Sequence, residues 1–286
     1  MRRVFQRVAA LVLAFAAFLC IPFQGYAGTL TLGSAQSFAV LGASAVTNTG
    51  STTITGDYGV SPGTSIGVAG ITLTGTVHAT DGVALQAQSD VAAAYSAIVA
   101  MLYTSNLSGK VLGTDVGTAG TPLTPGVYFF STEAQLTGAL FLDFSSNPGG
   151  NFIFQIGTTL TTASASSVTV TGGSSLSGIY WQVGSSATLG TSSTIEGNVL
   201  ANQSITMTTS AKILCGRAFA QVAAVTMDGN TVSDTCPVGG SPTDFGSLGF
   251  SGGPAAPGGV PEPLTLTLSG LGLFAGSLLL RKFRRR

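Results

Sequence analysis

The chain has 286 residues, of which 44 % are hydrophobic and 8 % charged, with 40 glycines; that much apolar material excludes a disordered polyelectrolyte and suffices for one sizeable core. Its formal net charge is zero only because basic residues crowd the two ends: between them, residues 28–259 hold Lys110, Lys212 and Arg217 against ten acidic side chains, a net charge of −7. A body of that sign offers no positive stripe to release phosphate counterions, which excludes nucleic-acid binding.

Residues 1–27 read as a secretory signal. Arg2, Arg3 and Arg7 form its positive flank, residues 8–21 its apolar stretch, and Gly25-Tyr26-Ala27 supplies small residues for cleavage. Cys20 reads as apolar filler, because Ala17-Phe18-Leu19 before it does not have the pattern of a lipoprotein signal. Export leaves the mature chain Cys215 and Cys236. In an oxidising compartment the two either bridge, stabilising by about 3 kcal/mol on a chain-entropy account, or stay as buried thiols.

The strongest helical period lies over residues 81–103, where Ala84, Ala87, Val91, Tyr95, Ile98 and Leu102 recur at spacings of three and four on one face. Thr80 or Asp81 is placed to cap its N-terminus. A helix of that length, about 35 Å at 1.5 Å per residue, predicts a rod that buries one side of a larger body. Residues 104–125, rich in Gly and Pro, predict an irregular loop that covers an open sheet edge.

From residue 126 onward one pattern recurs, short apolar strands separated by Gly, Ser, Thr and Asn. The first strand type is Gly126-Val127-Tyr128-Phe129-Phe130, then Phe152-Ile153-Phe154-Gln155-Ile156-Gly157, Ile179-Tyr180-Trp181-Gln182-Val183-Gly184, Asn198-Val199-Leu200-Ala201-Asn202 and Arg217-Ala218-Phe219-Ala220-Gln221. A period of roughly 20 residues with such short strands predicts a β-solenoid, each coil stacked about 4.8 Å from the next. The second strand type runs Ala134-Gln135-Leu136-Thr137, Thr159-Leu160-Thr161, Ala187-Thr188-Leu189-Gly190, Ile205-Thr206-Met207-Thr208 and Val225-Thr226-Met227-Asp228. Aligning Leu136, Leu160, Leu189, Met207 and Met227 as core turns their neighbours outward together. The outward rows are then Gln135, Thr159, Thr188, Thr206, Thr226 and Thr137, Thr161, Gly190, Thr208, Asp228, seven of the ten being threonine. The same parity puts Val46 inside and Thr47 outside.

Residues 28–238 thus form the body, and 239–259, rich in Gly, Ser and Pro, a flexible spacer. Beyond it, residues 264–280 are 17 apolar or small residues, just long enough to span a bilayer, followed by the basic cluster 281–286. The order Pro261-Glu262-Pro263, apolar helix, then Arg284, Arg285 and Arg286 resembles the PEP-CTERM sorting signal of Gram-negative bacteria. That resemblance implies transient inner-membrane anchoring, removal of the tail by an exosortase, and release to the cell surface or beyond.

The body resembles a second family. Leu32-Gly33-Ser34-Ala35-Gln36-Ser37-Phe38-Ala39-Val40-Leu41, Ile54-Thr55-Gly56-Asp57-Tyr58-Gly59-Val60-Ser61-Pro62-Gly63, the helix, Trp181-Gln182-Val183-Gly184-Ser185-Ser186-Ala187-Thr188-Leu189-Gly190 and Met227-Asp228-Gly229-Asn230-Thr231 are similar, in order, to the microbial ice-binding proteins of the DUF3494 type. The resemblance implies a mostly β architecture, a three-faced discontinuous right-handed β-solenoid with one long α-helix alongside, and a flat face that binds ice. Thr47, Thr137, Thr159, Thr161, Thr188, Thr206, Thr208 and Thr226 are its candidate contacts. Threonine suits the task, because its branched carbon fixes χ1 and it presents a methyl and a hydroxyl together. Threonine is equally a good solvent-facing strand residue, and Thr169 and Thr171 fall on another face.

Catalysis finds little support. His78 is the sole histidine and reads as solvated or capping, no Gly-x-Ser-x-Gly elbow precedes a helix, and no zinc-spaced His/Cys cluster or phosphate loop is present. The expectation is a non-enzymatic exported protein that needs no metal or cofactor. Its partner is an ice surface or, alternatively, the exopolysaccharide of an envelope matrix.

Overall fold

The computed structural model describes residues 30–173 and 177–235. Within them the strands form three sheets of nine, eight and seven strands, every paired strand parallel to its neighbours. Each full coil gives one strand to each sheet; Asn151–Ile156, Leu160–Thr162 and Ser167–Thr171 make one such coil. Strands this short bury one row of side chains inward and stack like on like. Trp181 lies on Phe154 with ring centroids 4.1 Å apart, and Phe154 on Tyr128 at 5.5 Å. The indole Nε1 of Trp181 donates to the Glu196 carbonyl at 2.9 Å and the Tyr128 hydroxyl to the Thr124 carbonyl, so both polar groups of this ladder are satisfied.

The stack does not follow sequence order. Strand Phe38–Gly42 sits between Ala218–Ala220 and Asp57–Val60. In the other two sheets Ala45–Thr49 pairs with Val225–Asp228, and Thr52–Thr55 with Thr231–Ser233. The chain therefore begins inside the stack, steps to one end at Val77–Ala79, and crosses to the other end through a helix. From there it winds back until its last coil meets its first.

That helix, α1, is Gly82–Val99, shorter than the periodicity of residues 81–103 predicts. Asp81 caps it, accepting from the Ala84 N–H at 2.8 Å. Ala84, Ala87, Val91, Ala94 and Ile98 are buried against Leu41, Ile153, Tyr180, Leu200 and Phe219 of the nine-stranded sheet. Leu102, placed on the stripe by its spacing, lies past the helix end and is 91 % exposed. The stop is dictated from the sheet: Gln155 Nε2 donates to the carbonyls of Ile98 and Met101, at 2.6 and 2.9 Å, and so terminates the last turn.

Residues 104–125 are not an irregular loop but a partial coil. Ser105–Asn106 and Val111–Leu112 add to the edges of two sheets, and Leu123 bridges to Leu142 of the third. They cover that end of the stack, as the Gly/Pro pattern predicts. Among the described residues no helix is long and apolar enough to cross a membrane. The signal over 1–27, Cys236, the spacer and the sorting tail lie outside the described residues.

Candidate functional site

Helix α1 covers the outer face of the nine-stranded sheet, which leaves the faces of the eight- and seven-stranded sheets to solvent. On the eight-stranded sheet one outward row is Gln135, Thr161, Thr188, Thr206, Thr226 and Thr47, each directly opposite the next. Five threonines in succession thus occupy five of the six rungs, Gln135 the sixth. Thr47, Thr161, Thr188 and Thr226 are exposed and Thr206 half-buried. The Thr47 hydroxyl donates to that of Thr226 at 3.3 Å. Those of Thr161, Thr188 and Thr206 make no protein hydrogen bond among the described residues, and so face water.

This register corrects the alignment made on large apolar residues. Leu160 opposes Ala134 and Ala187 rather than Leu136, so Thr161 takes the place assigned to Thr159. The cause is the corner between the two sheets, three residues long at 131–133, 157–159, 184–186 and 202–204. In these four coils a corner of equal length transmits the register of the first strand to the second. Leu136 therefore meets Thr162, a buried threonine whose Oγ1 accepts from the Gly190 N–H at 2.8 Å. A hydroxyl replaces a methyl group in the core because a backbone donor there needs an acceptor.

Two quieter rows flank the threonine row. One carries Thr159, Ser186, Ser204, Ala224 and Ala45, all half-buried, with Ser204 Oγ donating to Ser186 Oγ at 2.9 Å. The other carries Thr137, Ala163, Gly190, Thr208, Asp228 and Thr49. Thr137 is exposed, but the Thr208 hydroxyl donates to the Leu189 carbonyl at 2.8 Å. Asp228 accepts from Thr49 and Thr209. Beside Thr188, Thr206 and Thr226 the flanking side chains are small or bonded to the protein, which leaves those threonines standing clear. Of the eight candidate threonines, the structure brings Thr47, Thr161, Thr188, Thr206 and Thr226 into one line and sets Thr137, Thr159 and Thr208 beside it. Thr49 and Asp228 complete that border, and the parity extending from Thr47 is the signal that locates Thr49.

Elsewhere, His78 is largely buried and its Nδ1 lies 2.7 Å from Asp81 Oδ2, so it buttresses the cap of α1. The Ala84 N–H, then His78, hold the Asp81 carboxyl below the usual range. Cys215 is buried and disulfide-bonded.

Geometry of this kind, a parallel three-sided stack built out of sequence order with a helix along one side and a threonine row on another, has known counterparts. The profile of the Ice-binding-like family matches residues 40–233. The chain belongs to that family. Its similarity to an ice-binding protein of Nostoc sp. (strain HG1) is 48 % identity over 232 residues, 80 % of this chain and 84 % of the relative. It is 33 % identical to an ice-binding protein of Flavobacterium frigoris (strain PS1), over 71 % of this chain and 76 % of the other. Among solved structures it resembles an ice-binding protein from an Antarctic biological consortium with a TM-score of 0.66 and 43 % identity, covering 74 % and 95 % of the two chains. The ice-binding protein of the Antarctic ascomycete Antarctomyces psychrotrophicus gives 0.65 and 39 %, covering 71 % and 97 %. Both solved structures share the fold of this chain over most of their length.

Proposed function

We propose that this Ice-binding-like protein adsorbs to ice through the eight-stranded face, with Thr161, Thr188, Thr206, Thr226 and Thr47 as its central contacts and Thr137, Thr159 and Thr208 at their border. The observation that carries this reading is the in-register row of five successive threonines on a solvent-facing sheet. Rungs about 4.8 Å apart repeat one methyl and one hydroxyl, so first-layer water is held in a regular line. Each contact is weak, but the side chains are already fixed by their branched carbons and lose little entropy on binding. Lysine or glutamate in the same row would each lose about 1.5–2 kcal/mol of rotamer freedom if immobilised. The chemistry is adsorption, with no turnover, metal or cofactor.

The sequence patterns at the two ends extend the reading: export by residues 1–27, a Cys215–Cys236 bridge formed outside the cell, and sorting through Pro261-Glu262-Pro263 and the arginine cluster. The protein then works at or beyond the cell surface. Thr206→Tyr tests the face. It should lower inhibition of ice recrystallisation about tenfold, equivalent to ~1.4 kcal/mol of adsorption, with the melting temperature nearly unchanged. Undiminished inhibition would remove this face from consideration, and glycan binding that survives the substitution would favour a matrix role.

A further inference from the structure

The seven-stranded sheet also faces solvent, and most of its outward positions are chemically mixed: Phe141, Thr169, Glu196 and Leu214 lie in one row. At one end of the stack this changes. Thr231 and Ser233 of the last coil oppose Thr53 and Thr55 of the first, which oppose Thr72 and Thr74 of the end coil. Three rungs thus carry hydroxyls at both outward positions. Neighbours stand about 4.8 Å apart across strands and about 6.7 Å apart along them.

Thr53, Thr72 and Thr74 are exposed and Thr55 half-buried. None of the four hydroxyls makes a protein hydrogen bond among the described residues, whereas Ser233 donates to the Thr235 carbonyl. Lys212, opposite Thr231, ends the hydroxyl array on its inner side. Such an array repeats the chemistry of the eight-stranded face at the same strand spacing, in two complete columns where that face has one. It is also continuous with that face: Thr47 and Thr49 lie just before the corner of the first coil, Thr53 and Thr55 just after it.

We infer that Thr53, Thr55, Thr72 and Thr74, with Thr231, form a second ice-contact patch on the seven-stranded face. The inference rests on the proposed adsorption through the eight-stranded face, since it transfers the same physics to a second surface. Two patches meeting along one edge of the stack let a single molecule engage ice in two orientations. The second patch spans three rungs against five, so it is the weaker.

The test is uptake of the fluorescently labelled protein into a slowly growing ice hemisphere, comparing wild type, Thr206→Tyr, the pair Thr53→Tyr and Thr72→Tyr, and all three together. Uptake should fall but persist in Thr206→Tyr and vanish in the triple variant. A triple variant equal to Thr206→Tyr, or complete loss in Thr206→Tyr alone, would overturn the second patch and leave the first intact. No loss in Thr206→Tyr would instead remove the eight-stranded face, whatever the paired variant does. Melting temperatures verify folding, and Thr53→Lys with Thr72→Lys repeats the test should the tyrosine pair misfold.

Discussion

At the scale of single residues, what distinguishes the threonine row is the difference between hydroxyls that are used and hydroxyls that are free. Thr162, Thr208 and Thr49 bond to the protein, while Thr161, Thr188 and Thr206 turn theirs to solvent. Thr162→Val keeps the shape but strands the Gly190 N–H in the core, and should destabilise by about 1–3 kcal/mol in a denaturant titration without altering ice contact. Glu196 makes a separate prediction. Burial pushes its carboxyl up to about 7, so the native state holds a proton that the unfolded chain has released. Stability should therefore decline as pH rises from about 4.5 to 7, by about 3 kcal/mol at most. Glu196→Gln should flatten that stretch of the melting-temperature profile; a profile as steep as wild type would contradict the shift.

At the scale of elements, the helix and the coil strands were legible because periodicity is set by burial on one side. Ala84, Ala87, Val91 and Ile98 repeat as a helix must when it lies on a sheet. Its C-terminus was not legible, since Gln155 that ends it comes from a strand more than 50 residues away. The register of Leu160 misleads for a related reason: apolar size is a poorer guide there than the three-residue corner that this coil shares with its neighbours. The helix owes its place to that buried face. Ile98→Ala should cost about 2–5 kcal/mol, read by equilibrium unfolding, because the surrounding sheet cannot close over the void.

At the scale of the molecule, the meeting of first and last coils in mid-stack is the feature that the strand repeat alone did not disclose. Pairings such as Val40 with Ala218 and Thr47 with Thr226 join residues nearly 180 apart. They tie the two ends of the body into one cooperative unit, unlike a linear repeat array that frays from its termini. The full body should therefore unfold in a single transition when followed by circular dichroism, and removing residues 217–286 should abolish that transition, not merely shorten the stack. The same closure places Thr226 beside Thr47 and makes the threonine row continuous across the seam. The central claim is that this row holds ice, and the most direct measurement compares ice adsorption by Thr206→Tyr with that by Thr169→Tyr, an exposed threonine of the seven-stranded face outside both hydroxyl arrays. The account predicts a marked loss for the former and wild-type adsorption for the latter; equal adsorption by the two variants would contradict it.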